Sequence, residues 1–162
     1  MGCACIRNNF NFYAKAIDKK TIIFQDLSDW MDEDGYDFPA EYTVEITPPA
    51  TSKSYSVNIK VGQINLMNEK DLGSIKDGVY CFKTESCGKQ YTRSVAIFPK
   101  LECCIKQLWA TLDSSRYDDI TEIEDHLKLV SINTELNNIQ LATKELNITK
   151  KLLENIKCDC DC

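Results

Sequence analysis

The stretch SVAIFPKLECCIKQLW, residues 94–109, changes its hydrophobic period in the middle, and that change decides the fold. Ahead of Pro99 it closes a β-branched and aromatic segment, residues 91–98. Behind it, Leu101, Cys104, Ile105, Leu108, Trp109 and Leu112 recur at the spacing of one face of a helix. No glycine or proline occurs from Lys100 to the end of the chain, and either would weaken a helix interior.

Toward the N-terminus the period is two. Tyr42, Val44 and Ile46 alternate with Thr43 and Glu45, and Tyr55, Val57, Ile59 and Val61 alternate with Ser56, Asn58 and Lys60, so both segments predict half-buried strands. PPATSKS, residues 48–54, is the loop between them. Residues 21–24, 78–83 and 91–98 supply three further strands, 63–67 a sixth, and SCGK at 86–89 the turn of the last hairpin. DWMDEDGYD, residues 29–37, reads as an acidic loop after the first strand. Residues 1–99 are therefore expected to form an antiparallel β-sandwich or barrel-like domain with an N-terminal arm.

Toward the C-terminus the reading is helical. DSSR, residues 113–116, breaks the first helix, and a second starts near Asp119, which forms a capping-box-like pair with Glu122. Ile120, Ile123, Leu127 and Val130 line its inner face. A third pattern follows without a strong stop: Leu136, Ile139, Ala142, Leu146, Leu153 and Ile156 form one stripe, and Leu141, Ile148 and Leu152 another on nearly the opposite side. Two apolar faces imply two neighbours, one the preceding helix and the other either the sheet or another subunit, so Leu141, Ile148 and Leu152 are the candidate interface residues. The fold class is α+β, with residues 100–162 forming a C-terminal helical hairpin and a cysteine-rich tail.

With 162 residues the chain can bury a real core. Its net charge of −6 argues against sequence-specific nucleic-acid binding, which needs clustered Lys and Arg. An apolar run of the roughly 18 residues that a membrane helix requires is missing, and Arg7, Asn8, Asn9 and Asn11 interrupt any signal-peptide pattern. A soluble protein made in a reducing cytosol is expected, without a membrane partner. Catalytic motifs are absent as well: the single histidine, His126, has no partner set in the sequence, and the acids of residues 29–37 lack the register of a calcium loop. Enzymatic activity is not expected.

Nine cysteines cannot all pair within one chain, and thiols are the default without a secretion signal. Cys81, Cys87, Cys103 and Cys104 raise the prospect of a zinc site where sheet meets helix, although C-x5-C followed by an adjacent pair departs from the usual spacing. Cys104 also falls on the apolar stripe, as a small core residue would. The alternating Cys158, Cys160 and Cys162, alone or with Cys3 and Cys5, admit soft-metal binding, lipidation, contacts between subunits, or no specific role. Ile6 stands where a myristoylation signal prefers Ser or Thr.

The segments DGVYCFKTESCGKQYTRSVAIFPKLECCIKQLW (77–109), YDDITEIEDHLKL (117–129) and LLENIKCDCDC (152–162) resemble small virion proteins of crAss-like phages, podoviruses infecting gut Bacteroidales. The resemblance covers most of the chain after Thr43. It implies a structural component of the head–tail region, a neck or tail ring protein stacked below the portal as a homo-oligomeric, twelve-fold ring. It also implies the portal or adjacent ring and tail proteins as partners, synthesis in the bacterial host cytoplasm, and final location in the virion. Acidic character would suit a DNA channel by repelling the genome. Two other classes stay open on the residues alone, a thiol-rich metal-binding protein and a helical adaptor in the host cytosol.

Overall fold

Alternating burial is the organising feature of the N-terminal half: along residues 78–86 buried Tyr80, Phe82 and Thr84 take turns with half-buried Val79, Cys81 and Lys83. The computed structural model describes residues 5–31, 41–49, 53–67, 75–110 and 117–156. In chain order its strands are β1 (Cys5–Ile6), β2 (Phe12–Ala16), β3 (Ile22–Asp26), β4 (Trp30–Met31), β5 (Glu41–Thr47), β6 (Tyr55–Lys60), β7 (Ile64–Met67), β8 (Gly78–Ser86) and β9 (Lys89–Ile97). Helices α1 (Pro99–Ala110), α2 (Tyr117–Glu135) and α3 (Ile139–Asn155) follow. The fold is thus α+β, antiparallel strands first and helices last.

The strands form three sheets, β1-β4, β2-β3-β7 and β6-β5-β8-β9. The two larger sheets meet through aromatic rings: Phe12 and Phe24 stack at 4.7 Å between centroids, and Phe82 lies 4.7 Å from Phe12 and 5.8 Å from Phe24. Such ring pairs add to the area they bury. Asn65 ties the sheets at one corner, accepting the Lys60 N–H at 2.8 Å and donating to the carbonyls of Lys60 and Phe24. Gly62, at φ +81°, supplies the left-handed residue of the β6–β7 turn. In the β8–β9 turn the same role falls to Cys87 (φ 51°) and Gly88 (φ 78°).

The chain divides into two compact units, Met1–Ile75 with Tyr80–Arg93, and Lys76–Val79 with Ser94–Cys162. In the second, Phe98, Leu101, Ile105 and Leu108 share one core with Ile120, Ile123, Leu127 and Val130 of α2 and Ala142 and Leu146 of α3. Buried Thr134 and Thr149 satisfy their hydroxyls by donating to the carbonyls of Val130 and Glu145, one turn back.

Asp77 fixes the start of α1, its two carboxylate oxygens accepting the N–H groups of Lys100 and Leu101, each at 2.9 Å. Partial burial pushes its carboxyl up, against the pull of those two donors. Asp77→Ala is expected to cost about 1–2 kcal/mol of helical-unit stability, the worth of an N-terminal cap, whereas Asp77→Asn, which keeps an acceptor without a buried charge, should cost much less. Urea melts of the two variants check the ordering.

Some expectations need correction. β1, β2 and β4 are strands the period-two reading left out, and the acidic stretch opens with the strand that contains buried Trp30. The segments 32–40 and 111–116, with Leu112 and the 113–116 break, lie outside the described residues. α2 begins two positions ahead of Asp119, which sits in its first turn. A firm stop does separate α2 from α3: Asn137 takes φ 62° and Asn138 donates to the Asn133 carbonyl at 2.7 Å, a left-handed helix end built with asparagine in glycine's usual place. Leu136, read as an inner residue, falls in this terminus and is 66% exposed.

Candidate functional site

The cysteines come first because the sequence singles them out. Cys5 and Cys87 form a disulfide, with Cα atoms 5.7 Å apart, and Cys103 is disulfide-bonded as well. The default expectation of thiols therefore fails at these three positions. Around the bridge, the Ile6 N–H donates to Ser86 Oγ and the Tyr91 hydroxyl to the Ile6 carbonyl, both at 3.0 Å, fastening β1 to the β8–β9 hairpin.

Two of the four residues expected at a zinc site are thus engaged otherwise. Cys87 and Cys103 are engaged in disulfides, while Cys81 is a half-buried thiol on β8 and Cys104 a buried one on α1. Among the described residues, no three His, Cys, Asp or Glu side chains gather as a metal site. Burial pushes the Cys104 thiol up, so it behaves as the small core residue its stripe position suggests. On brief iodoacetamide treatment of the folded protein, Cys81 is expected to alkylate well ahead of Cys104; peptide mapping gives the order. Cys158, Cys160 and Cys162 lie outside the described residues.

Polar side chains are committed to structural networks. Asp26, only 9% exposed, accepts from Trp30 Nε1 and from the Tyr42 hydroxyl, both at 2.7 Å. Burial and then that carboxylate push the Tyr42 phenol far above its usual range, so it stays a donor. His126 Nδ1 lies 2.7 Å from Glu145, clasping α2 to α3, and Trp109 Nε1 donates to Glu124. On the outer face of the four-stranded sheet, Thr43, Glu45, Ser56, Lys83, Glu85 and Gln90 line an open trough of about 400 Å³. Glu45 and Lys83 are register partners there across β5 and β8.

No protein-family model matches this sequence, and no curated protein matches it. Among the described residues, no helix is long and apolar enough to cross a membrane.

The apolar surface is where the molecule has material to spare. Of the expected interface residues, Leu141 is 52% exposed, Ile148 is half-buried, and Leu152 packs partly buried against the helical core. Sequence reasoning missed a larger feature. Leu129, Ile132 and Leu136 are all exposed on the outer side of α2 and its terminus, while Tyr13, Ile64 and Leu66 are exposed on the β2-β3-β7 sheet. Isolated exposed leucines are ordinary, whereas these lie aligned on regular elements.

Proposed function

We propose that this chain is a non-enzymatic structural component of a phage virion, present in many copies in the head–tail region and acting through contacts between copies and with neighbouring ring, tail or portal proteins. The observation that carries the reading is that aligned apolar side chains stay exposed on two separate elements, a sheet face and a helix face, while the buried polar groups are spent on internal networks. Two surfaces per copy suit a cyclic assembly. Sequence resemblance to crAss-like phage virion proteins supplies the virion context, and twelve-fold symmetry below the portal is part of that proposal. The Cys5–Cys87 disulfide is in keeping with it, because released particles meet the oxidising conditions in which such bonds persist. A zinc-thiolate function draws less support, given the two engaged cysteines of its proposed site.

Mass spectrometry of purified particles under non-reducing conditions tests the reading. About a dozen copies per particle, or a multiple, is the expected result for a closed ring of this symmetry class. Absence from the particle would return the chain to a cytosolic adaptor or thiol protein.

A further inference from the structure

We infer that copies of this chain join head to tail, the outer face of the β2-β3-β7 sheet of one copy receiving the outer face of α2 of the next. The inference rests on the many-copy reading above and specifies which surfaces meet.

On the sheet, the strand register sets two outward rows across three strands: Tyr13, Gln25 and Ile64, then Lys15, Ile23 and Leu66. Tyr13, Ile64 and Leu66 are 47, 62 and 64% exposed. The opposite side of the same strands holds Phe12, Phe24 and Met67 in the core, so this sheet is apolar on both faces. An antiparallel sheet with one solvated face normally alternates apolar with polar. Past the second row, the β2–β3 turn carries exposed Lys19 and Lys20. Its one acid, Asp18, accepts the Lys20 N–H at 2.8 Å.

On the helix, Asp118, Glu122, Asp125, Leu129, Ile132 and Leu136 follow one another at alternating steps of four and three, which places them on one stripe. All six are exposed. The first three are acidic and the last three apolar; Glu122 also approaches His126 Nε2 at 3.9 Å. The apolar half spans roughly 10 Å at 1.5 Å per residue, enough to run along the strands over both rows, which are two residues or roughly 7 Å apart.

Charge selects the pairing. Two copies meeting through this helix face would set acid against acid when parallel and acid against leucine when antiparallel. Two copies meeting through the sheet face would bring Lys15 to Lys15 or to an apolar row. Either arrangement buries an unpaired charge. Sheet against helix lets Leu129, Ile132 and Leu136 cover Ile23, Ile64 and Leu66, and turns the acids toward Lys15 and the basic turn. Because the two faces differ, each contact leaves one of each kind open for the next copy.

The test uses the full chain in two single variants, Leu66→Glu on the sheet and Ile132→Lys on the helix, followed by light scattering over a concentration series. Wild type is expected to self-associate, and each variant to do so at least about tenfold more weakly, the share of one central anchor. Mixed together, the variants should form a one-to-one dimer and stop there, because only one intact sheet face and one intact helix face can meet. A second pair, Lys15→Glu and Asp125→Lys, should each weaken association alone and pair when mixed, which keeps the test decisive if an apolar substitution fails to fold. A monomeric wild type, a mixture that remains monomeric, or a variant that associates as wild type does would overturn the inference. None of these outcomes touches the particle reading, which is decided by copies in the virion.

Discussion

Replacing Cys87 with serine is expected to lower the stability of the β unit by about 2–4.5 kcal/mol, because the bridge to Cys5 closes a loop with a sequence separation of 82, and constraint of the unfolded chain grows with loop length. The upper figure is the chain-entropy value for a loop of that size. Cys5→Ser should cost the same, and the double variant little more, since both substitutions remove one bond. Cys87→Gly offers a finer discrimination: at φ 51° a non-glycine residue is disfavoured, so glycine recovers about 1 kcal/mol of the loss. β1 should not detach outright in any of them, since the Ser86 and Tyr91 hydrogen bonds to Ile6 remain. Denaturant midpoints with and without reductant give the measurement. Equal midpoints under both conditions would mean that the bridge does not form.

Phe82→Ala should be at least as damaging, at about 3–5 kcal/mol for a large aromatic truncated in a packed core. The ring is fully buried, opposite Ile46 in the β5–β8 register, and sits against both Phe12 and Phe24 of the facing sheet. Truncation therefore opens a cavity between two sheets, lined by groups that their own strands hold in place. Phe82→Leu, which retains most of the volume, should cost considerably less. A loss below about 1 kcal/mol for the alanine variant would be too small for a fully buried ring and would contradict the aromatic junction between the sheets.

Much of this architecture was legible along the chain, and the exceptions have physical causes. Strands β5 and β6 alternate cleanly over six residues or more, β8 and β9 show as runs rich in β-branched and aromatic residues, and the helical stripes predict the core residues Leu101, Ile105, Leu108, Ile120, Ile123, Leu127 and Val130. β1 and β4 are two residues long, too short to show a period. β2 had its signal in Phe10, Phe12, Ala14 and Ala16, diluted because alanine has low strand preference. The disulfide was beyond reach: nothing in cysteine spacing reports that the hairpin tip meets β1. The stripe from Asp118 to Leu136 was in plain view, but a search for inward-facing apolar residues passes over a line whose first half is acidic. Leu136 was misplaced for a different reason: asparagine, not glycine, ends the helix before it.

The four-stranded sheet has one further consequence, which concerns time. In the order β6-β5-β8-β9, β8 is the partner on which β5 closes, and β8 also carries Phe82 into the aromatic junction. When β5 leaves the ribosome its second neighbour has not been made. At elongation rates of about 5–20 residues per second, roughly 2–8 s pass between the end of β5 and the end of β8, the strand that seals it. Over that interval Phe12, Phe24 and Ile46 have no Phe82 to bury them, and Cys5 has no Cys87 to bond. The order of the sequence thus makes the N-terminal half wait for the strand that completes its core.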